Sequence, residues 1–537
     1  MRFRTGEKYV LGKMLDEAAG KHPKATYFWF EGKSYTYGEV IAQSRKTAGG
    51  LARLGVREGS HVAILMENCP EFIYTWFALA LLGAVEAPFN PFHKGSLLEY
   101  LVNYSDAEIL VISSSFVDEI KAIEDRIVGV RKVIIEGKYE GAPFKNIEAV
   151  PFATLLQGDD KRPAAEVKYS DVMALMFTSG TTGPSKGVLI THNQAFFVAS
   201  QYVSVTGVAK SDVGYCYIPL FHEAPQFGLV LGSLLYGGSF LLTRSFSAAD
   251  FWPDIRKYNC TASGMFEVVI KILLMAPEQP DDADNPMRIF STAHITPESQ
   301  DAFEKRFNVK LVNCYGLTEG DCTITATHRD IRPGSFGKPR GYFDVKLLDS
   351  MDREVPRGKV GEIALRPRQP HTIFEGYYKM PEKTLEAFRN LWWHTGDLAC
   401  QDEDGYYFFV GREKDMIRRG DENISALEVE KVVESHPGVK ECAAVAAYSK
   451  VWGEEVKLAV VCHEGTQIDP AEIVAYCDER MAYFMVPRYI EFVESIPRTG
   501  GSGRPIKEQL KPITAKTWDR VKAGVKTKRE TDKRERR

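Results

Sequence analysis

The apolar and polar positions of this chain fall into two regimes. Over roughly the first 400 residues helical and strand patterns alternate, as in sheets covered by helices. Thr36 and Glu39 have the spacing of a capping box ahead of a stretch that ends near Gly55, which predicts a helix. HVAILM from His61 is continuously apolar and predicts a buried strand. The uncharged run from Phe72 to Val85 is too short to span a bilayer and predicts a buried helix running into a strand. ILVISS from Ile109, KVIIE from Lys132 and ALMF from Ala174 continue the strand series. After GREKDMIRRGDEN the grain becomes finer. Ser425 and Glu428 cap a helix reading ALEVEKVVESH, ECAAVAAYS and EVKLAVVCHE follow as strands, Asp469 and Pro470 open another helix, and YIEFVES closes the unit. The predicted fold is α/β: a large domain of βα-layered sheets over 1–411 and a small mobile α+β lid over 412–519. The segment 520–537 is dominated by Lys and Arg without apolar periodicity and is expected to be a disordered, solvated tail.

Composition narrows the partners. A chain of 537 residues exceeds the length at which one core stops growing, in keeping with two domains. A net charge of -4 gives no reason to expect nucleic acid or an anionic membrane. Nine cysteines without CxxC spacing suggest neither a disulfide framework nor a zinc site. MRFRTGEKYV has no apolar core behind its charges, so no secretory signal is read there, and no transmembrane segment is expected. The expected compartment is the cytoplasm.

The chemistry gathers in four segments. FTSGTTGPSKGVLITH, from Phe177, sets glycines, hydroxyls and one lysine between two apolar stretches. Glycines let backbone N–H groups close on an anion, hydroxyls add donors and Lys186 adds a mobile charge, so this is a phosphate clasp. It is not a Walker A loop, since Lys186 lies between Ser185 and Gly187. CYGLTEG, from Cys314, supplies an aromatic ring, a turn, a hydroxyl and a carboxylate. In WWHTGDLACQDEDGYYFFVGR, Asp397 sits in a Thr-Gly-Asp turn suited to ribose hydroxyls, and Arg412 adds a donor. In PLFHEAP, His222 is a candidate gate or carboxylate positioner. His192, closing the clasp strand, is read as structural.

In this order the segments resemble the adenylate-forming superfamily of acyl-CoA synthetases, peptide-synthetase adenylation domains and luciferases, from about Leu11 to Leu510. GREKDMIRRGDENISALEVE, KRFNVKLVNCYGLTE and TIFEGYY look most like carnitine/crotonobetaine-CoA ligases. The resemblance implies an AMP-forming acid–thiol ligase that takes a small carboxylic acid, ATP with Mg2+, and CoA as co-substrate. By position, Thr178, Ser179, Gly180, Thr181, Thr182, Gly183 and Lys186 would cradle the β and γ phosphates. Tyr315 would stack on adenine beside Gly316, with the backbone of Ser291, Ala293 and His294 along its edge. Thr318 would meet the α-phosphate, Glu319 would hold Mg2+, Asp397 and Arg412 would bind ribose, and Lys414 would be the hinge.

Three departures stand out. The family places a lysine near the C-terminus that serves adenylation, and here RTGGSGRPIKEQL has Arg504 at that place with Lys507 three residues on. Asp421, after Gly420, replaces a glycine of the CoA tunnel. Glu267 stands where an apolar residue or proline is usual; a surface-facing position is expected, the alternative being a pocket carboxylate that pairs with a cationic acid. Two other functions stay open: adenylation with a carrier-protein thiol as acceptor, and a catalytically impaired nucleotide-binding homologue. Neither the acid nor the oligomeric state, homo-oligomers included, is legible.

Overall fold

The computed structural model describes residues 9–142, 144–159, 161, 163, 165–178, 185–293, 295–412, 416–420, 422–497 and 507–529. The capping box forms as its spacing requires: the Thr36 side chain accepts from Glu39 N, Glu39 reaches back to Thr36 N, and the helix runs Tyr37–Arg53. It packs on the helix Pro70–Leu82, whose every residue but Glu71 is buried. That helix ends at Gly83 in a left-handed turn and feeds the strand Val85–Pro88.

Among the described residues four sheets form. One has eight strands, with Val85–Pro88, His61–Leu65, Ile109–Ser113, Lys132–Glu136 and Glu148–Pro151 running parallel and the hairpin Val172–Thr178/Lys186–Thr191 at one side. A second, of nine strands, sets Ala262–Phe266, Ile289–Ala293 and Lys310–Leu317 in parallel, then turns back through Gly320–Thr325. Ligands of such sheets bind beyond the carboxyl ends of the strands. Those ends here carry Asn90 and His93, Phe266, Ala293 and Leu317–Glu319. A third sheet ends on the antiparallel pair Trp392–Gln401 and Tyr407–Arg412. The chain enters the six-stranded sheet of the small domain at Met416–Arg419. The hinge candidate Lys414 lies outside the described residues. No described helix is long and apolar enough to cross a membrane.

The charged C-terminal segment departs from expectation. Trp518–Asp519 adds a strand to the small sheet, and beyond it Arg520 is buried, its N–H donating to Arg488 O at 2.9 Å. Lys528 N donates to Asp478 Oδ2 at 2.7 Å. The Arg529 guanidinium lies 4.2 Å from the Phe92 ring centroid and 3.7 Å from that of Tyr483, so it stacks where the two domains meet. Residues 520–529 are therefore folded and not a solvated tail; aromatic faces on both domains give the charges a packing role that a count of Lys and Arg does not reveal. Arg529→Ala is expected to weaken docking by about 1 kcal/mol, read as a lower thermal midpoint.

Candidate active site

The clasp is the connection of the Val172–Thr178/Lys186–Thr191 hairpin, with Thr178 paired to Lys186 across its mouth. Ser179, Gly180, Thr181, Thr182 and Gly183 lie outside the described residues, as does His294. Beyond the mouth opens a cavity of about 700 Å³ between the domains, and Thr178, Ser185, Lys186, His222, Ala293, Gly316, Thr318, Glu319, Asp397 and Gly420 all line it. Sequence segments more than two hundred residues apart thus share one chamber.

The Thr318–Glu319 turn is held from both sides. Gln194 Nε2 donates to Thr318 O at 3.1 Å, and Phe374 N donates to Glu319 O at 2.8 Å. The Tyr377 hydroxyl donates to Glu319 Oε1 at 2.8 Å, while the Lys186 ammonium lies 4.4 Å from the centre of the same ring. Gly316 is needed for space: a Cβ there would lie 2.0 Å from Asp321 Oδ1.

Tyr315, read in the sequence as the partner of adenine, is not among the residues that line the cavity. Tyr315 is wholly buried, tilted against Phe336 at 5.1 Å, and its hydroxyl donates to Asp397 Oδ2 at 2.9 Å. Its ring gives the cavity no face, because it packs in the core beneath the sheet end, and its polar contribution is to hold Asp397. Asp397 stands opposite Arg412 in the strand register, so the proposed ribose pair is brought together at the backbone; the Arg412 side chain is outside the described residues. Ser291 lines a neighbouring cavity of about 90 Å³, whose wall Ala293 shares with the large one. Asp397 has a second support that the sequence reading missed. Glu362 Oε1 accepts from Gly396 N at 3.0 Å, with His394 Nδ1 at 2.8 Å from Oε2, which fixes the Thr-Gly-Asp turn.

His222 lines the cavity with its ring 3.9 Å from that of Phe221. Burial holds its pKa down at about 4, and His93, held at about 4 by burial and by His222, shares the wall, so both imidazoles are neutral near pH 7. His93 was not singled out in the sequence; its signal was its place after a buried parallel strand. His192 is the first residue of the helix His192–Thr206, buried, and depressed by burial to about 3, in keeping with a structural place. Glu267 is not surface-facing. It lines the cavity, with Lys271 Nζ at 3.2 Å and the Ser299 hydroxyl donating at 3.2 Å, because its helix begins at the cavity wall. Glu223 and Asp321 line the same region; burial raises both carboxyl pKa values, and Asp321 and Glu319 push Glu223 further up.

From the small domain, Gly420 and Trp452 line the cavity. Asp421 and Arg504 lie outside the described residues. Lys507 does not line it: its ammonium pairs with Glu430 Oε1 at 2.7 Å. Glu428, expected to close a capping box with Ser425, reaches across the domain boundary and accepts from the Ser185 hydroxyl. Burial pushes its carboxyl from 4.5 to about 7, against the opposing pull of the Ser185 hydrogen bonds and Lys431. Tyr100 faces the same spot, donating to Ser185 O at 3.0 Å. Where undocking exposes Glu428, its carboxyl returns toward the ordinary carboxylate value, so docking takes up a proton. The contribution is fully present below about pH 4.5 and is lost as pH rises through about 7, a swing of up to about 3 kcal/mol. Energy transfer between dyes on the two domains should therefore fall from pH 5 to 8, and Glu428→Gln should flatten the profile.

Residues 15–378 match the AMP-binding enzyme family model, and 428–502 match the AMP-binding enzyme C-terminal domain. The chain belongs to the AMP-binding enzyme family. A crotonobetaine/carnitine–CoA ligase of Salmonella typhi is 32% identical over 520 residues, covering 93% of this chain and 98% of the relative. An anthranilate CoA ligase solved with anthranoyl-AMP is 25% identical with a TM-score of 0.71, covering 94% of this chain and 96% of that one. An o-succinylbenzoate CoA synthetase from Bacillus subtilis, 24% identical with a TM-score of 0.80 over 93% of this chain and 98% of its own, shares the fold. By class this chain is a ligase of the AMP-forming, acid–thiol type.

Proposed function

We propose that this chain joins a small carboxylic acid to CoA in two steps. A carboxylate oxygen attacks the α-phosphorus of ATP and pyrophosphate leaves; the CoA sulfur then attacks the acyl carbon and AMP leaves. The observation that carries the reading is the shared cavity, on which the clasp mouth, Thr318, Glu319 and Asp397 meet Gly420 and Trp452 of the small domain. Both half-reactions then have residues on one chamber. Lys186 with Thr178–Gly183 would neutralise the departing pyrophosphate, Thr318 would donate to the α-phosphate, and Asp397 and Arg412 would hold ribose. Neutral His222 would hydrogen-bond the acid's carboxylate without acting as its counter-ion. No described cluster of three His, Cys, Asp or Glu side chains could hold a metal alone, which suits an ion held by Glu319 and substrate phosphates together. Mg2+ so held would offset the charge building on the phosphates.

The position of Lys507 bears on which step this arrangement serves. With its ammonium on Glu430 it is away from the chamber, while Gly420 packs against Val268 of the large domain. That favours the thioester-forming orientation, with Lys507 or Arg504 swinging in for adenylation and Lys414 as pivot. Asp421 would stand beside the entering thiol.

For the acid, the smaller cavity is the guide. Its wall includes Tyr202, Tyr215 and Phe266, and it shares Asp321 with the large one. At about 90 Å³ it takes roughly three or four heavy atoms, fewer than the ~150 Å³ that benzene needs. Glu223, buried with Oε1 lacking a partner among the described residues, lines the large cavity next to Ala224, which lines both, so an acid with a compact ammonium group would find aromatic faces and carboxyl groups together. Carboxylate-dependent exchange of labelled pyrophosphate into ATP tests the first step, with trimethylammonium acids set against uncharged short and aromatic ones. No exchange with any acid would mark an impaired homologue; acyl transfer to a carrier protein but not to CoA would change the acceptor.

A further inference from the structure

The strand Gly376–Tyr377 is laid along the clasp strand, pairing Tyr377 with Val188. Tyr378 N donates to Gly187 O at 2.8 Å, and Glu375 N donates to Leu189 O at 2.9 Å. Tyr377 N is tied to the Thr384 hydroxyl at 2.9 Å, so the ring is fixed from its own backbone as well as from the neighbouring strand. It is 9% exposed and lines the large cavity. One face attracts the Lys186 ammonium at 4.4 Å, and the hydroxyl donates to Glu319 Oε1 at 2.8 Å. Without this ring between them, an ammonium and a carboxylate on one chamber would attract each other and pair directly.

We propose that Tyr377 is a positioning residue that separates the two charges of the phosphate site. Its face would hold Lys186 toward the departing pyrophosphate, and its hydroxyl, by engaging Oε1, would leave the second carboxylate oxygen of Glu319 to hold Mg2+. Nothing in the sequence assigns it this task; TIFEGYY marked only a family likeness. The inference rests on the ATP-using reading, and two substitutions separate its parts. Tyr377→Phe keeps the ring and removes the hydroxyl. Tyr377→Leu removes both.

The test is ATP binding by calorimetry, with and without Mg2+, on the full chain, alongside the Mg2+ dependence of pyrophosphate exchange. Tyr377→Phe is expected to raise the half-saturating Mg2+ about tenfold, the worth of one hydrogen bond to a charged group, while ATP affinity without Mg2+ stays as in the wild type. Tyr377→Leu is expected to weaken ATP binding several-fold in both conditions as well, because Lys186 loses its support and falls toward Glu319. Wild-type Mg2+ dependence in Tyr377→Phe would overturn the proposal. So would an equal loss with and without Mg2+ in that variant, which is what a merely structural ring would give. Failure of the wild type to bind ATP in either condition would instead sink the nucleotide reading on which the proposal stands.

Discussion

Glu319→Gln is expected to lower acid-dependent pyrophosphate exchange by about 10²–10³, the usual cost of removing a group that stabilises transition-state charge. The fold should not register the change. Glu319 is set in place by its backbone, through Gln194 and Phe374, and a glutamine oxygen can still accept from the Tyr377 hydroxyl. Only the negative charge is lost, and with it the anchor proposed for Mg2+. Thermal midpoints of the two proteins should therefore coincide. Thioester formation from preformed acyl-AMP needs no pyrophosphate site and should be nearly unchanged. An exchange rate within a factor of about three of wild type would place the metal elsewhere, since it would imply under 1 kcal/mol of transition-state stabilisation from this carboxylate.

Gly420→Ala is expected to do the reverse. Gly420 has a φ of +66°, and a Cβ there would lie 3.1 Å from Val268 on the large domain and 3.1 Å from Trp452 on its own. The left-handed backbone costs an alanine about 1–2 kcal/mol wherever the small domain points, a loss shared by both steps. The contact with Val268 exists only while the domains are docked as here. Overpacking of that kind costs about 1–3 kcal/mol, so thioester formation should fall about tenfold more than exchange does. Val268→Ala, which removes Cγ1, should restore part of the difference. If both half-reactions fall together, the docked arrangement is not specific to thioester formation. Together the two substitutions divide the enzyme's cycle, one disabling the pyrophosphate side and the other the thiol side.

The legible part of the site was whatever a local pattern can encode. The hairpin that carries the clasp owes its pairing to residues within about ten positions, where glycines, hydroxyls and alternating apolar residues leave few choices; the turns at Thr318–Glu319 and Thr-Gly-Asp are legible as local motifs, while Gln194, Phe374 and Glu362 hold them from afar. The capping box at Thr36 is of the same kind, as is the helix opened by Asp469, whose side chain accepts from Ala471 N at 2.8 Å. What the sequence left out fell where a side chain's partner is remote. Tyr315 was assigned to adenine by its neighbours in sequence, yet its hydroxyl goes to Asp397, 82 positions away. Glu428 was read only within its own helix, and it also meets Ser185, 243 positions away. Arg529 was counted as one of many charges, and its environment is two aromatic rings from different domains.

From sequence alone came the class of fold, the hairpin that carries the candidate clasp, and the family to which the chain belongs, because periodicity and turn chemistry act over a few residues and are written in order. Tertiary structure alone decided which side chains share the chamber: that Tyr377 touches both Lys186 and Glu319, that Glu223, Asp321 and Glu267 line the large cavity, and that Lys507 rests on Glu430. Burial, orientation and charge pairing depend on distances in space between segments far apart in the chain. A linear pattern holds no record of those distances until the sheets bring the segments together.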